Sequence, residues 1–185
     1  MKLIIGIFLC ASMLICVESL GQNIEVATGF GYGTSIKTPS LNLRALYKLR
    51  SGIDVGADFQ FFLKSKASDE FVTFGVSRKD YSFVSRYVFE EFDLIGNVRF
   101  YPLLGASIIN LKTTGESNFS DNPILQVENN NEVFLGLLAG VGGNYKLNRS
   151  ITLFGEVKYH YSRESQTMFN AGILYVIGSP FSKGK

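Results

Sequence analysis

Apolar and polar residues alternate along most of the chain, and the clearest example lies between Ile151 and Ile177. From residue 151 to 161 the odd positions are apolar, aromatic or small. The even positions between them include Thr152, Glu156, Lys158, His160 and Ser162. A period of two over a dozen residues is typical of a β-strand with two different faces. The alternation resumes after a short polar break at 163–166, so this segment predicts two strands joined as an antiparallel hairpin.

The same pattern predicts six further strands. In chain order they cover Ile24–Ser35, Leu41–Leu49, Ile53–Lys64, Tyr81–Glu91, Val98–Thr114 and Glu132–Leu147. Within the fifth of these, adjacent apolar pairs and Pro102 predict a bulge or distortion, because proline removes a ladder donor. Together with the hairpin, the chain is predicted to form eight strands.

The connections between these strands differ in length. Two polar stretches, 65–80 and 115–131, are predicted to be long connections, and the connections after the second, fourth and sixth strands are predicted to be short. This asymmetry is typical of an up-and-down barrel with tight turns at one end and longer loops at the other. The sequence therefore predicts an all-β fold, an eight-stranded antiparallel up-and-down transmembrane β-barrel.

The polar rows of these strands combine many glycines with charges of both signs. The charged members are Arg44, Lys48, Asp54, Asp58, Arg86, Glu90, Glu156 and Lys158. An eight-stranded barrel has an interior just wide enough for side chains to fill, so small residues beside paired charges fit its lumen. A basic side chain facing hydrocarbon would cost about 2–4 kcal/mol. We therefore expect the apolar rows to face lipid. A soluble, exported, lipocalin-like binding barrel is the alternative, and the absence of Trp weighs against it.

The amino terminus has the features of a secretory signal peptide. Lys2 precedes the apolar run Leu3–Val17, and small residues at Ser19 and Gly21 fit a cleavage site before residue 22. We therefore expect export through the Sec pathway and divide the chain into a signal peptide (1–21), a barrel (22–178) and a short tail (179–185). Both cysteines lie in the signal peptide, and no later segment approaches eighteen consecutive apolar residues, which excludes a helical membrane protein. The formal charge of +2 gives no indication of nucleic-acid binding.

Three segments carry a resemblance to a known family: Arg99–Ser107, Phe134–Tyr159 and Phe169–Tyr175. The chain resembles the small outer-membrane β-barrel proteins of Gram-negative bacteria, of the OmpA/OmpX-like kind. The resemblance implies location in the cell outer membrane, contact with its lipid, biogenesis through the barrel-assembly machinery, and a monomer. The family often ends its last strand on a terminal aromatic residue, whereas residues 178–185 follow the last strand here.

His160 and Ser162 are the candidate catalytic residues of the sequence. Two residues apart on a strand, they share a face, so the imidazole could activate the hydroxyl. The sequence HYS is similar to the His-x-Ser pair of outer-membrane lipid A deacylases. Arg163 stands where those enzymes have Asn, the last strand lacks their Glu, and their site faces lipid. We therefore expect no catalytic residue, and the alternative is a lipid A deacylase-like hydrolase that uses His160 and Ser162. With one histidine and no mature cysteine, we also expect no metal site and no cofactor.

The remaining candidates are interior charges and surface loops. Arg86 with Glu90, and Glu156 with Lys158, are predicted to pair along their strands, either within a plugged core or along a gated ion path. Val72, Phe74 and Val76 alternate within 65–80, so this stretch is either a solvated loop or a sheet edge that binds partners by strand addition. We expect a structural or surface-interaction role, with any extracellular partner held by 65–80 and 115–131.

Overall fold

The computed structural model describes residues 24–50, 52–68, 72–89, 98–117, 130–148 and 150–177. These residues form nine strands and the turns between them: β1 (Ile24–Gly33), β2 (Thr38–Arg50), β3 (Ile53–Phe62), β4 (Ser65–Ser68), β5 (Val72–Tyr87), β6 (Val98–Ser117), β7 (Asn130–Lys146), β8 (Ile151–Tyr161) and β9 (Gln166–Ile177). Within these ranges no helix has the length and apolar character needed to cross a membrane.

Eight of the strands close into a ring. Each pairs antiparallel with its neighbours, β9 returns to pair with β1, and β3 pairs with β5. The short β4 lies outside the ring and pairs with Thr73–Val76 of β5. Both Ile24 and Ile177 lie at one end of the barrel, which we call the terminal end; the opposite end is the loop end. The predicted eight-stranded antiparallel barrel is confirmed.

The stretch 65–80 was predicted as a long connection whose flanks could extend the neighbouring strands, and the structure places more of it in strands than in a connection. Most of the stretch 65–80 is strand: Ser65–Ser68 forms β4, and residues 72–80 are the first half of β5. Strand β5 ends at Tyr87, four residues before the predicted end of that strand, and β6 begins at Val98 as predicted. Residues 1–21, 179–185 and 118–129 lie outside the described residues, as does Glu90.

The predicted distortion at Pro102 is wrong. The register of β6 is constant against both neighbouring strands. Alternation continues through both apolar pairs: Leu103 is 3% exposed and Leu104 is 66% exposed, and Ile109 is buried whereas Ile108 is exposed. The irregularity in register lies instead between β2 and β3, at 48–50.

The strand pairing explains how Pro102 is accommodated. The amide of Phe89 donates to the carbonyl of Phe100 at 3.0 Å, so the even-numbered residues of β6 direct their main-chain groups toward β5. The regular β5–β6 ladder ends at the pair Arg86–Leu103, next to Pro102. The proline therefore lies at the end of this ladder, where its missing donor interrupts no further ladder pair.

The exterior of the ring is apolar and carries an aromatic belt near each end. Around the terminal end the exposed aromatic residues are Tyr47, Tyr87, Phe89, Phe100, Tyr145 and Tyr175. Around the loop end they are Phe30, Tyr32, Phe59, Tyr81, Tyr161 and Phe169. The polar rows face inward, so the predicted orientation of the two faces is confirmed. A closed barrel with an apolar exterior between aromatic girdles suits a bilayer, and this arrangement excludes the lipocalin-like alternative, which buries its apolar residues inside.

Three strands continue past the ring at the loop end. The β3–β5 pairing ends at Lys79, and the β7–β8 pairing ends at Leu137. Beyond those points β5, β6 and β7 remain paired with one another, and β4 adds a fourth strand. We call this projecting sheet the ridge: β4 with residues 72–78 of β5, 110–117 of β6 and 130–136 of β7.

Candidate functional site

The lumen holds three clusters of buried charge, one above another along the barrel axis. The first, nearest the terminal end, is built around Arg86 of β5. Its Nε donates to Asp54 Oδ2 at 2.7 Å, and its Nη2 donates to Glu25 Oε2. The guanidinium also lies 5.1 Å from the ring centroid of Tyr101. Glu25 is a member that the sequence analysis did not include, although it is the only carboxylate among the small residues of the inward row of β1.

The central cluster joins two cations to two carboxylates. Arg44 of β2 binds Glu156 of β8 through both terminal nitrogens, at 2.5 and 2.6 Å, and also donates to Asp58 Oδ2 at 2.8 Å. Lys158 Nζ donates to the same Asp58 oxygen at 2.7 Å. The hydroxyl of Tyr101 donates to Glu156 at 2.6 Å. The formal charges of this cluster cancel, which is the condition under which buried ions are tolerated.

The third cluster lies toward the loop end. Arg78 Nε donates to Asp80 Oδ1 at 2.8 Å, and Arg78 Nη1 donates to the carbonyl of Glu164 in the β8–β9 turn at 2.8 Å. His160 Nδ1 lies 3.2 Å from Asp80 Oδ2. The sequence analysis missed Arg78 and Asp80 because they fall in the stretch predicted as a connection. The signal that could have found them is their alternation with the outward aromatic residues Tyr81 and Phe83.

Uncharged side chains fill the space between the clusters. Gln60 Nε2 donates to Ser40 Oγ and to Asn170 Oδ1, both at 2.8 Å. The hydroxyls of Ser82 and Ser107 lie 2.8 Å apart. One cluster of buried apolar residues consists of Leu46, Phe62, Val84, Tyr101, Leu103, Leu138 and Met168, and a second consists of Ala27, Phe154 and Leu174. The part of the lumen that the structure describes is packed with side chains, as expected for eight strands.

The predicted lumen charges pair across strands rather than along them. Glu156 and Lys158 are 3.9 Å apart, and each has a closer partner on another strand. Arg86 is held by Asp54 and Glu25, whereas its predicted partner Glu90 lies outside the described residues. Two of these pairs, Arg44 with Asp58 and Arg86 with Asp54, are directly opposed on neighbouring strands, where Cβ atoms lie about 5 Å apart. The contact of Arg44 with Glu156 instead crosses the narrow lumen. Lys48 is half-buried and lies opposite Asp54 in the ladder.

His160 and Ser162 do not form a hydrogen-bonded pair in the structure. His160 is buried, and its Nδ1 faces Asp80 on the far side of the lumen rather than a hydroxyl. Ser162 Oγ makes no hydrogen bond to any residue that the structure describes. The imidazole therefore has no access to the lipid-facing surface, where a deacylase would meet its substrate. In the described ranges, no group of three or more His, Cys, Asp or Glu side chains is placed to hold a metal ion.

The arrangement was compared with known proteins. No protein-family model and no curated protein sequence matches the chain. Solved structures do match. A major outer membrane protein from Thermus thermophilus aligns with a TM-score of 0.61 at 14% identity, over 83% of this chain and 99% of that one. This chain has the fold of the outer-membrane β-barrels.

Two further structures share the fold. The N-terminal β-barrel domain of Pseudomonas aeruginosa OprF aligns with a TM-score of 0.59 at 14% identity, over 84% of this chain and 98% of that one. Ail, the attachment invasion locus protein of Yersinia pestis, aligns with a TM-score of 0.50 at 16% identity, over 83% and 97%. Together with the apolar exterior and its two aromatic belts, the fold locates the protein in the outer membrane.

Proposed function

We propose that the protein is a non-enzymatic, monomeric outer-membrane barrel that binds an extracellular partner through the ridge. Its loop end faces the outside, as in bacterial barrels with short periplasmic turns. The barrel-assembly machinery inserts it, and the three charge clusters make the lumen a packed support rather than an ion path. The name of the related structure Ail, an attachment invasion locus protein, agrees with a role at the surface.

The observation that carries the proposal is a free strand edge on the ridge. Val72–Val76 do not form that edge, because β5 is paired with β6 throughout and with β4 over Thr73–Val76. Residues 130–136 of β7 pair with β6 on one side only, within the part of the chain that the structure describes. Unpaired main-chain donors and acceptors on an exposed edge bind extended peptide segments by strand addition.

The ladder identifies which residues present that edge. The amide of Leu147 donates to the carbonyl of Ile151, so odd-numbered residues of β7 direct their main-chain groups away from β6. Val133 is one of them, and its side chain is exposed. A partner strand would add there, with Val133 and Leu135 offering apolar side-chain contacts.

The test is a pair of substitutions at one position. Val133→Pro removes an edge donor without removing a β6 ladder bond, whereas Val133→Thr keeps the donor and the side-chain shape. Cells displaying each variant are measured for attachment to cultured epithelial cells and to immobilised extracellular-matrix protein. We expect attachment to fall at least tenfold for Val133→Pro and to persist for Val133→Thr, with heat-modifiable gel mobility retained in both. Equal attachment by both variants would remove the strand-addition proposal.

A further inference from the structure

Two shallow apolar grooves cut the exterior wall across β6, β7 and β8, one near each end. The terminal-end groove encloses about 610 Å³, and its floor is formed by the outward-facing Gly143 and Gly155. The loop-end groove encloses about 560 Å³ and is lined mainly by Ala106, Leu135, Gly136, Leu137, Tyr161 and Arg163. The two grooves differ in one respect that matters: a cationic side chain lines the loop-end groove.

The loop-end groove lies where the β7–β8 ladder ends, at the pair Leu137–Tyr161. The outward residue of β6 opposite Leu137 is only Ala106, whose small side chain leaves the groove open. Behind it the lumen is tightly packed, since a Cβ atom at the inward-facing Gly136 would lie 3.0 Å from Ile109 Cδ1 and 3.2 Å from Ser162 Cβ. Leu135 and Tyr161 stand on either side, 79% and 68% exposed. The result is an apolar channel at the level of the loop-end aromatic belt.

One cationic side chain, Arg163, lies at the outer limit of this groove. The side chain of Arg163 is 73% exposed, and its Nη1 lies 3.3 Å from Glu132 Oε2. An exposed ion pair of this kind contributes only about 0–1 kcal/mol, so Glu132 competes weakly with a stronger anion for the guanidinium. On β6 the outward row continues from Ile108 through Asn110 to the exposed Lys112. At about 3.3 Å per residue, Lys112 lies about 13 Å further along the strand than Ile108.

We propose that the loop-end groove binds one phosphorylated lipid of the outer leaflet. An acyl chain lies in the groove against Leu135, Leu137 and Tyr161, and the phosphate is bound by Arg163, with Lys112 reinforcing the positive field. The groove and the lipid are complementary, because the groove opens onto hydrocarbon and the guanidinium at its outer limit is suited to bidentate phosphate binding. A free anion would gain nothing from the apolar part of this surface.

The experiment uses the full barrel in phosphatidylcholine nanodiscs doped with lipid A, a diphosphorylated glycolipid, as the probe. Retained lipid is counted by native mass spectrometry while the lipid A fraction is varied. Three variants are compared with the wild type. Ala106→Phe fills the groove, Arg163→Gln removes the cation, and Gly155→Leu fills the terminal-end groove, where an added Cβ meets nothing within 4 Å.

We expect one tightly retained lipid A per barrel in the wild type and in Gly155→Leu. Arg163→Gln is expected to weaken retention about tenfold, or about 1.4 kcal/mol, because it removes a charge-assisted contact. Ala106→Phe is expected to weaken retention by a similar factor, because the ring occupies the place of the acyl chain. Heat-modifiable mobility verifies that each variant is folded. Equal retention by Arg163→Gln, equal retention of dephosphorylated lipid A, or displacement by millimolar inorganic phosphate would overturn the proposal. Barrel dimers that disappear in Ala106→Phe would assign the groove to a second copy instead.

Discussion

Strand β5 carries two opposite patterns along its length, and the contrast separates the barrel wall from the ridge. Within the wall most of its inward residues are polar, including Asp80, Ser82 and Arg86, and its outward residues Tyr81 and Phe83 are aromatic. In the outer part of the ridge the relation inverts. The inward residues of β5 there are Phe74 and Val76, and the outward Ser77 is followed by the exposed Lys79 at the edge of the wall. Strand β6 changes in the same way, from the outward Ile108 to Asn110 and Lys112.

The inversion shows which solvent each part of a strand meets. Hydrocarbon surrounds the wall, so the apolar side chains lie outside and the charges must find partners in the lumen. On β5 and β6 the outer part of the ridge meets water, so polar side chains lie on the outward faces of these two strands. The outward row of β7 does not change in this way, because Val133 and Leu135 remain apolar and exposed. The outward face of β5 changes from apolar to polar at residues 77–79. We infer that these residues mark the outer boundary of the membrane on that strand.

The largest effect is expected from breaking the central cluster of the wall. Arg44→Met leaves Glu156 and Asp58 with Lys158 as their only cationic partner and should lower the free energy of unfolding by about 3–5 kcal/mol. Urea unfolding in lipid vesicles, followed by heat-modifiable mobility, measures it. Arg44→Met combined with Glu156→Leu leaves Asp58 paired with Lys158 and should recover much of the loss. No recovery in the double variant would show that the charge balance is not what stabilises the lumen.

A smaller loss of stability is expected when an arginine is placed on the wall, and almost none when it is placed on the ridge. Leu104→Arg places a cation on the lipid-facing wall and should destabilise the barrel by about 2–4 kcal/mol if the residue lies near the bilayer midplane. Ser77→Arg places the same side chain on the outward face of the ridge and should change stability by less than about 0.5 kcal/mol. Both are measured by the same urea titration in vesicles. Similar costs for the two variants would contradict the boundary at residues 77–79.

The sequence predicted the ring well, because each wall strand repeats one two-residue period between turns. It missed the first half of β5 for a physical reason. A strand that leaves hydrocarbon and enters water changes the polarity of both faces, so its period is broken where Arg78, Lys79 and Asp80 follow one another. Those three residues then resemble part of a polar connection. For that reason the sequence did not predict the charge cluster that Arg78 and Asp80 form with His160.

The partners of the lumen charges were not predictable from local spacing. Arg44 and Glu156 are 112 residues apart and meet only because β2 and β8 face each other across the lumen. The stagger of the strands around the whole ring decides which inward side chains lie at the same height in the lumen. The two-residue alternation decides only whether a side chain faces the lumen or the exterior. The sequence could identify Arg44, Asp58, Glu156 and Lys158 as interior residues, but not their contacts.

Depth measurement along β5 tests the central claim most directly. Single cysteines, introduced after Cys10 and Cys16 are replaced by serine, carry a spin label at outward positions 77, 79, 81, 83 and 85 in lipid vesicles. We predict that labels at 81, 83 and 85 collide mainly with oxygen, which partitions into hydrocarbon. Labels at 77 and 79 should collide mainly with a water-soluble nickel chelate. Nickel accessibility at 81 and 83 equal to that at 77 would contradict a membrane-spanning wall whose pattern inverts at the bilayer surface.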